Sequence, residues 1–148
     1  MNIARPLLLA FAAAACLPAV AGPSAEALNQ CLADNTSGKD RKDLAKWVFM
    51  AMAIHPEIKE LSNISTEARD KSNQTVGRLV TRLLSESCVE HTRAVMQNEG
   101  PGALQASFEV LGRLAMQELM SNSEVGPALG SFEKYLDRKK LESVLAPR

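Results

Sequence analysis

Hydrophobic residues along this chain recur mainly at helical spacing. Between residues 66 and 85 they repeat every three or four positions, at Val76, Leu79, Val80, Leu83 and Leu84. Between residues 102 and 120 the same spacing recurs, at Leu104, Phe108, Leu111, Ala115 and Leu119. This is the pattern of an amphipathic helix, whereas a half-buried strand alternates with period two, and no segment does so convincingly. The pattern predicts an all-α domain.

Polar turn residues divide the chain into short segments. We expect helices at about residues 24–34, 40–55, 56–61, 66–85, 88–98 and 102–120, with a last helical segment from residue 121 onward. The expected N-caps, whose side chains can accept from free first-turn amides, are Ser24, Asp40, Ser65 and Ser87. Gly112, inside the helix at 102–120, is expected to mark a close helix crossing, since glycine is unfavourable within a helix. The prediction is a compact bundle of five to seven short helices.

One apolar run is continuous rather than periodic. Residues 47–54, from Trp47 to Ile54, are all apolar, and the flanking charged and alanine residues favour a helix over a strand. A helix that is apolar on all sides is expected to be buried on all sides. We therefore expect this segment to form the central helix of the bundle.

The first 21 residues resemble a secretory signal peptide. Arg5 precedes an apolar run of eleven residues, Leu7 to Leu17, and Pro18 ends it. Ala19-Val20-Ala21 then places small residues at the −3 and −1 positions of a signal-peptidase site. We expect cleavage between Ala21 and Gly22, which makes the protein periplasmic or secreted and leaves residues 22–148 as a single helical domain.

Composition narrows the possible partners of that domain. Removing residues 1–21 from the 148 leaves 127, enough to bury one core. The full chain has 17 basic and 17 acidic residues, and loss of Arg5 gives one net negative charge. Such a balanced charge does not favour nucleic acid as a partner. No later apolar run approaches the roughly 18–20 residues that span a bilayer, so we expect no membrane insertion after cleavage.

The expected cleavage of the leader determines how the three cysteines are interpreted. Cleavage removes Cys16 and leaves Cys31 and Cys88, which have one possible intramolecular pairing in an oxidising compartment. The chain-entropy model gives such a bridge about 4 kcal/mol of stabilisation. Two free buried thiols are the alternative. Lipid attachment at Cys16 is disfavoured, because Ala13 stands where lipoprotein sites usually carry a larger aliphatic residue.

No motif in the chain has a specific chemical meaning. His55 and His91 are the only histidines, and no metal-ligand spacing surrounds them, so we expect no metal site and no cofactor. Cys88 and His91 stand at i and i+3, the one arrangement suggestive of a thiol nucleophile, but a disulfide at Cys88 would remove it. We expect no catalytic residues.

The densest polar turn begins the second helix. Lys39, Asp40 and Arg41 follow Ser37-Gly38, but the residues of a phosphate-binding loop are absent. A capped helix start with solvated charges explains most of this turn. If the domain has a polar recognition surface, these three residues are its candidates.

Three functions remain after these exclusions. The first is a non-catalytic exported protein that binds another protein, as inhibitors and immunity proteins of this size do; this rests on analogy of compartment and fold class. The second is a carrier of a small apolar ligand, with a pocket lined by Trp47, Phe49, Met50, Phe108 and Leu111. An enzyme is the third. The sequence leaves the oligomeric state open.

Overall fold

A computed structural model describes residues 22–145 of the chain, and this part is all-helical, with no strand. Its nine α-helices are α1 (Pro23–Asp34), α2 (Gly38–Met52), α3 (Pro56–Lys59), α4 (Thr66–Arg82), α5 (Val89–Asn98), α6 (Pro101–Ser107), α7 (Glu109–Met120), α8 (Val125–Gly130) and α9 (Arg138–Leu145). A π-helical turn, Leu83–Ser87, joins α4 to α5, and a 3₁₀ helix, Ser131–Tyr135, follows α8. The predicted all-α fold is confirmed. The expected signal peptide, with Cys16, lies outside the described residues.

The described residues contain more helices than the five to seven expected, because two predicted helices are broken. The segment at 102–120 is interrupted at Phe108. Its N–H donates to the carbonyl of Gln105, three residues earlier, at 3.1 Å, in place of the four-residue spacing of an α-helix. The buried Ser107 hydroxyl donates to the Ala103 carbonyl at 3.0 Å, a bond that tends to bend helices. The last segment is divided into α8, the 3₁₀ helix and α9.

The helix N-caps differ from the prediction at three of four positions. Ser65 caps α4 as expected and accepts from the Ala68 N–H at 3.1 Å. Asp40 is not a cap residue. It is the third residue of α2, in a capping box with the cap residue Ser37. Cys88, rather than Ser87, precedes α5 and makes no side-chain cap.

Helix α1 is capped by a residue far away in the sequence. Its cap position is Gly22, not Ser24, and Gly22 has no side chain to accept a hydrogen bond. The Glu99 carboxylate takes that role, because it accepts from the Ser24 N–H at 2.7 Å and from the Ala25 N–H at 3.3 Å. The start of α1 is thus fixed to the end of α5.

The hydrophobic core forms where two groups of helices meet. Helix α1 packs against α5, α6 and α7, and α2 packs between α4 and α7. The side chains at 0–1% exposure include Leu28 and Leu32 of α1, which belong to one core cluster with Leu83, Cys88, Val95 and Ala115. The short N-terminal helix α1 therefore contributes the centre of the core.

Helices α2 and α4 run antiparallel, in a register set by two polar contacts. The Trp47 indole N–H donates to Asn73 Oδ1 at 3.0 Å. Near the other end, the Arg82 guanidinium contacts Asp40 Oδ2 at 3.1 Å. Asp40 precedes Trp47 in α2, whereas its partner Arg82 follows Asn73 in α4, so the two helices run in opposite directions.

The expectation that residues 47–54 form a fully buried central helix is wrong. Ala53 is buried, but Phe49, Met52 and Ile54 are 50%, 50% and 56% exposed. Helix α2 ends at Met52, and α3 is too short to fold back over its end. An apolar run with one face on the core keeps its other face exposed when no element covers it.

Gly112 does not mark a close helix crossing. It is exposed on α7, and a Cβ added there would meet no atom within 4 Å. The glycine is thus not required by packing in the described part of the chain.

The predicted disulfide is confirmed. The Cys31 and Cys88 sulfurs are 2.07 Å apart, and their Cα atoms are separated by 5.9 Å and by 57 positions in sequence. Cys31 lies near the end of α1, and Cys88 follows the π-helical turn, where its N–H donates to the Leu83 carbonyl at 2.8 Å. The bridge therefore ties α1 to the junction of α4 and α5.

The C-terminal part of the chain contributes little to the core. No residue of α8, the 3₁₀ helix or α9 is buried. Helix α8 contacts the end of α7, and beyond Gly130 residues up to 145 are exposed. The folding unit is essentially α1 to α7.

Reduction of the disulfide should destabilise the domain. Because the bridge closes a loop of 57 positions and ties α1 to the junction of α4 and α5, we expect its loss to cost about 2–4 kcal/mol and to lower the Tm by on the order of 10 °C. Thermal unfolding followed by circular dichroism, with and without reductant, measures the change. A Cys31→Ala/Cys88→Ala variant serves as control, since its Tm should be low and insensitive to reductant. Equal Tm values for oxidised and reduced wild type would contradict a stabilising bridge.

Candidate interaction surface

Five exposed apolar side chains follow one another between residues 49 and 61. Phe49, Met52, Ile54, Ile58 and Leu61 are 50%, 50%, 56%, 38% and 84% exposed. We call these five the α2–α3 apolar surface. Single exposed apolar residues are ordinary on a protein surface, but a concentration of large ones is typical of a binding site.

The backbone of this surface is held locally. The Ala53 N–H donates to the Phe49 carbonyl at 2.9 Å and ends α2. His55 then caps α3, because its Nδ1 accepts from the Glu57 N–H at 3.3 Å, and Pro56 begins the helix. A proline in the first turn loses no helical hydrogen bond. The apolar side chains are therefore presented by two helices and a short turn.

A groove adjoins the surface at Phe49. It lies between α2, the end of α7 and the start of α8, and has a volume of about 570 Å³. Its apolar lining comes from Ala45, Phe49, Leu119 and Val125, and Lys42, Lys46 and Glu118 also line it. Phe49 belongs to both the groove and the α2–α3 apolar surface, so a partner seated on one reaches the other.

Asp40 is committed to contacts within the domain. Its Oδ2 accepts from the Ser37 N–H at 3.0 Å and from the Ser37 hydroxyl at 2.6 Å. The same oxygen is 3.1 Å from the Arg82 guanidinium, which also donates to the Asn35 carbonyl at 3.4 Å. Asp40 thus connects the start of α2 to the end of α4.

Lys39 and Arg41, the neighbours of Asp40, make different contacts. The Lys39 ammonium donates to Asp43 Oδ2 at 2.6 Å along one face of α2. Arg41 is partly buried, and its Nε has no hydrogen-bond partner among residues 22–145. The structure therefore does not join the three side chains through contacts with one another, and a recognition role for Lys39, Asp40 and Arg41 stays a prediction.

The Lys39–Asp43 pair shifts both titrations. The hydrogen bond from Lys39 is the main cause that lowers the pKa of Asp43, and Lys46, 3.7 Å away, adds a smaller effect. The same hydrogen bond raises the pKa of Lys39. The lysine side chain is 81% exposed and the aspartate 19%, so the pair is a feature of the domain surface.

Cys88 and His91 do not form a thiol–imidazole pair in this structure. The Cys88 sulfur is bonded to Cys31, so it is not a nucleophile, and His91 is exposed. Among residues 22–145, no group of three or more His, Cys, Asp or Glu side chains is placed to hold a metal ion. Within the same range no helix is long and apolar enough to cross a bilayer.

The five residues expected to line a carrier pocket are not gathered in one described groove. Phe49 lines the groove between α2 and α7, and Phe108 lines a separate shallow depression at α6. Leu111 is buried in the core. Trp47 packs against the core cluster and donates its indole N–H to Asn73. Of these five side chains, Phe49 alone lines the α2–α7 groove.

Comparisons of the chain with protein-family models, with curated proteins and with solved structures found no match. Function must therefore be inferred from the sequence and from the geometry of residues 22–145. In that part of the chain, exposed large apolar side chains are concentrated in two places, on the α2–α3 apolar surface and in the segment from Leu129 to Leu145, and only the first adjoins the groove at Phe49.

Sequence reasoning missed this surface by assigning its first half to the core. Two residues of the sequence indicated the exposed surface: Ile58 and Leu61 are large apolar residues that follow the end of the run at His55-Pro56. The segment at 56–61 is too short to cover a helix end while burying its own apolar residues. An apolar run followed by such a segment indicates an uncovered helix end.

Replacement of Lys39 should restore the titration of Asp43 toward its ordinary range. In Lys39→Met the pKa of the Asp43 carboxyl should rise, because its main stabilising hydrogen bond is lost. Lys46→Met is the matched control and should raise it less. Titration by NMR measures both. The domain stability that this aspartate provides is present above its unfolded pKa and is lost as pH falls through the folded pKa. An equal or larger rise in Lys46→Met would contradict the assignment.

Proposed function

We propose that this protein is an exported, non-catalytic helical domain that binds another protein through the α2–α3 apolar surface. The observation that carries the proposal is the run of five large apolar side chains, from Phe49 to Leu61, each at least 38% exposed. Interface cores are rich in aromatic residues and methionine and poor in charge. Phe49 and Met52 match that composition.

The surroundings of the surface fit a protein partner. Charged residues accompany it, with Lys42 and Lys46 lining the groove beside Phe49 and exposed Glu57, Lys59 and Glu60 next to Ile58 and Leu61 in the sequence. An apolar centre with a polar rim is the usual anatomy of a protein interface. The adjoining groove lies beside Phe49 and offers an amphipathic helix or an apolar segment of the partner a place to dock.

Export is supported by the leader-like residues 1–21 and by the disulfide. The apolar run and Ala19-Val20-Ala21 match a cleavable leader. A bond between Cys31 and Cys88 suits an oxidising compartment, since such bonds rarely persist in a reducing cytosol. The periplasm or the cell exterior is the compartment that we propose. An inhibitor or immunity-like role is one form of the proposed function.

A carrier of small apolar ligands is the second candidate function. The groove between α2 and α7 favours it, because its volume of about 570 Å³ falls in the range of ligand sites and Phe49, Leu119 and Val125 line it. A bound metabolite or lipid that copurifies with the protein and is lost in Phe49→Ala would favour this function over protein binding.

The proposal predicts that partner binding depends on Met52 and not on a matched methionine elsewhere. Met52 and Met96 are 50% and 45% exposed, on α2 and α5. Met52→Lys should weaken partner binding about ten-fold or more, since it places a charge in the apolar centre, whereas Met96→Lys should leave it unchanged. Both variants should keep the wild-type Tm, because the side chains are exposed.

The measurement uses the full chain in envelope preparations of its host, with a photo-crosslinking residue at position 54. The proposal expects one protein adduct that is lost in Met52→Lys and kept in Met96→Lys. An adduct lost equally in both variants, or kept in both, would contradict it. Absence of any protein adduct, together with a bound small molecule, would favour the carrier.

A further inference from the structure

The Glu99 carboxylate is aimed at the first turn of α1 from 75 positions away in sequence. Its Oε1 accepts from the Ser24 N–H at 2.7 Å and from the Ala25 N–H at 3.3 Å, and its Oε2 is also 3.3 Å from the Ala25 nitrogen. Asn98, the preceding residue, donates to the Ser24 hydroxyl at 3.0 Å. The carboxylate is therefore held in place rather than free to swing into solvent.

Gly22 lies directly against this carboxylate. A Cβ built on Gly22 would be 2.5 Å from both Cδ and Oε1 of Glu99, closer than carbon atoms approach. The backbone of Gly22, with φ −73° and ψ 173°, is one that any residue adopts. A side chain at position 22 would therefore displace the Glu99 carboxylate from its present place, whereas the backbone conformation would accept it. Since N and Cβ of a residue are about 2.5 Å apart, the Gly22 nitrogen lies within about 5 Å of the carboxylate.

Gly22 is also the residue after the proposed cleavage site, Ala19-Val20-Ala21. We infer that cleavage after Ala21 creates an α-ammonium group on Gly22 that pairs with the Glu99 carboxylate. This inference rests on the proposed export of the protein. It assigns Glu99 the role of receiving the new N-terminus, in addition to capping α1.

The pairing offsets the repulsion between the new ammonium group and the N-terminal end of α1. The start of a helix carries a partial positive charge, so an ammonium group at the cap position is repelled by the helix. A carboxylate between the ammonium and the first-turn amides reverses this balance. A second groove, between α1, α6 and α7, is lined by Gly22 and Glu99 and also by Glu109 and Arg113. Glu26 lies in the first turn of α1.

The contact distinguishes the processed chain from its precursor. With residues 1–21 attached, the Gly22 nitrogen is a neutral amide, and Glu99 holds the helix amides alone. Cleavage adds the charge, and the oxidising compartment adds the Cys31–Cys88 bond. Both ends of α1 are then secured after export, which leaves the precursor less stable than the processed protein.

The test is the pKa of the Gly22 amine in protein expressed as the full chain with its own leader and purified from the periplasm. Mass spectrometry defines the N-terminus, and NMR of ¹³C-labelled glycine follows the titration. We expect an amine pKa above the ordinary range of about 7.7–8.0, because a nearby carboxylate favours the charged form. In Glu99→Gln it should fall by about one unit, to below that range, as the helix dipole then dominates.

Two variants serve as matched controls. Glu109→Gln, in the groove lined by Gly22 and Glu99, and Glu26→Gln, in the first turn of α1, should leave the amine pKa nearly unchanged. A pKa equal in wild type and Glu99→Gln, or one moved mainly by Glu26→Gln or Glu109→Gln, would overturn the pairing while leaving export intact. A mass showing that the N-terminus is not Gly22 would overturn both the pairing and the proposed cleavage site. Partner binding through Met52 is measured separately and is not affected by either result.

Discussion

The Cys31–Cys88 bond is the constraint on which the rest of the structure depends. It fastens α1, a helix of twelve residues, to the junction of α4 and α5. That helix carries Leu28 and Leu32, which are almost completely buried at the centre of the core. An isolated helix of this length is marginal in water, so its position must come from tertiary contacts. The disulfide near one end and Glu99 at the other supply two of them.

Helix α1 lies at the centre of the core, but the apolar side chains of α2 are covered on some sides of the helix and exposed at its end. Helices α4 and α7 cover two sides of α2, but no described element covers its end, and Phe49, Met52 and Ile54 stay exposed. The C-terminal segment beyond α7 does not fold back over them. The domain is therefore compact around α1 and open at the end of α2, and this asymmetry underlies the proposal of a protein partner.

Periodicity predicted the fold class because helical spacing is a local property of the sequence. Leu79 and Leu83 are buried as their spacing requires, and the cysteine pairing followed from elimination once Cys16 was assigned to the leader. What failed depends on distant contacts. Ser24 looked like the cap of α1, but Glu99 takes that role, and no local pattern identifies a partner 75 positions away. The burial of residues 47–54 likewise depends on whether another helix covers them, which a continuous apolar run does not indicate.

Native-state hydrogen exchange of the α1 amides is the most direct test of the central claim, that the disulfide keeps α1 in the core. In the oxidised protein, we expect the amides of Leu28 and Leu32 to exchange as slowly as the most protected amides of α4 and α7, because α1 should open only with global unfolding. After reduction, α1 should exchange faster than α4 and α7. Equal protection of α1 and α7 in both redox states, or fast exchange of α1 in the oxidised protein, would contradict the account.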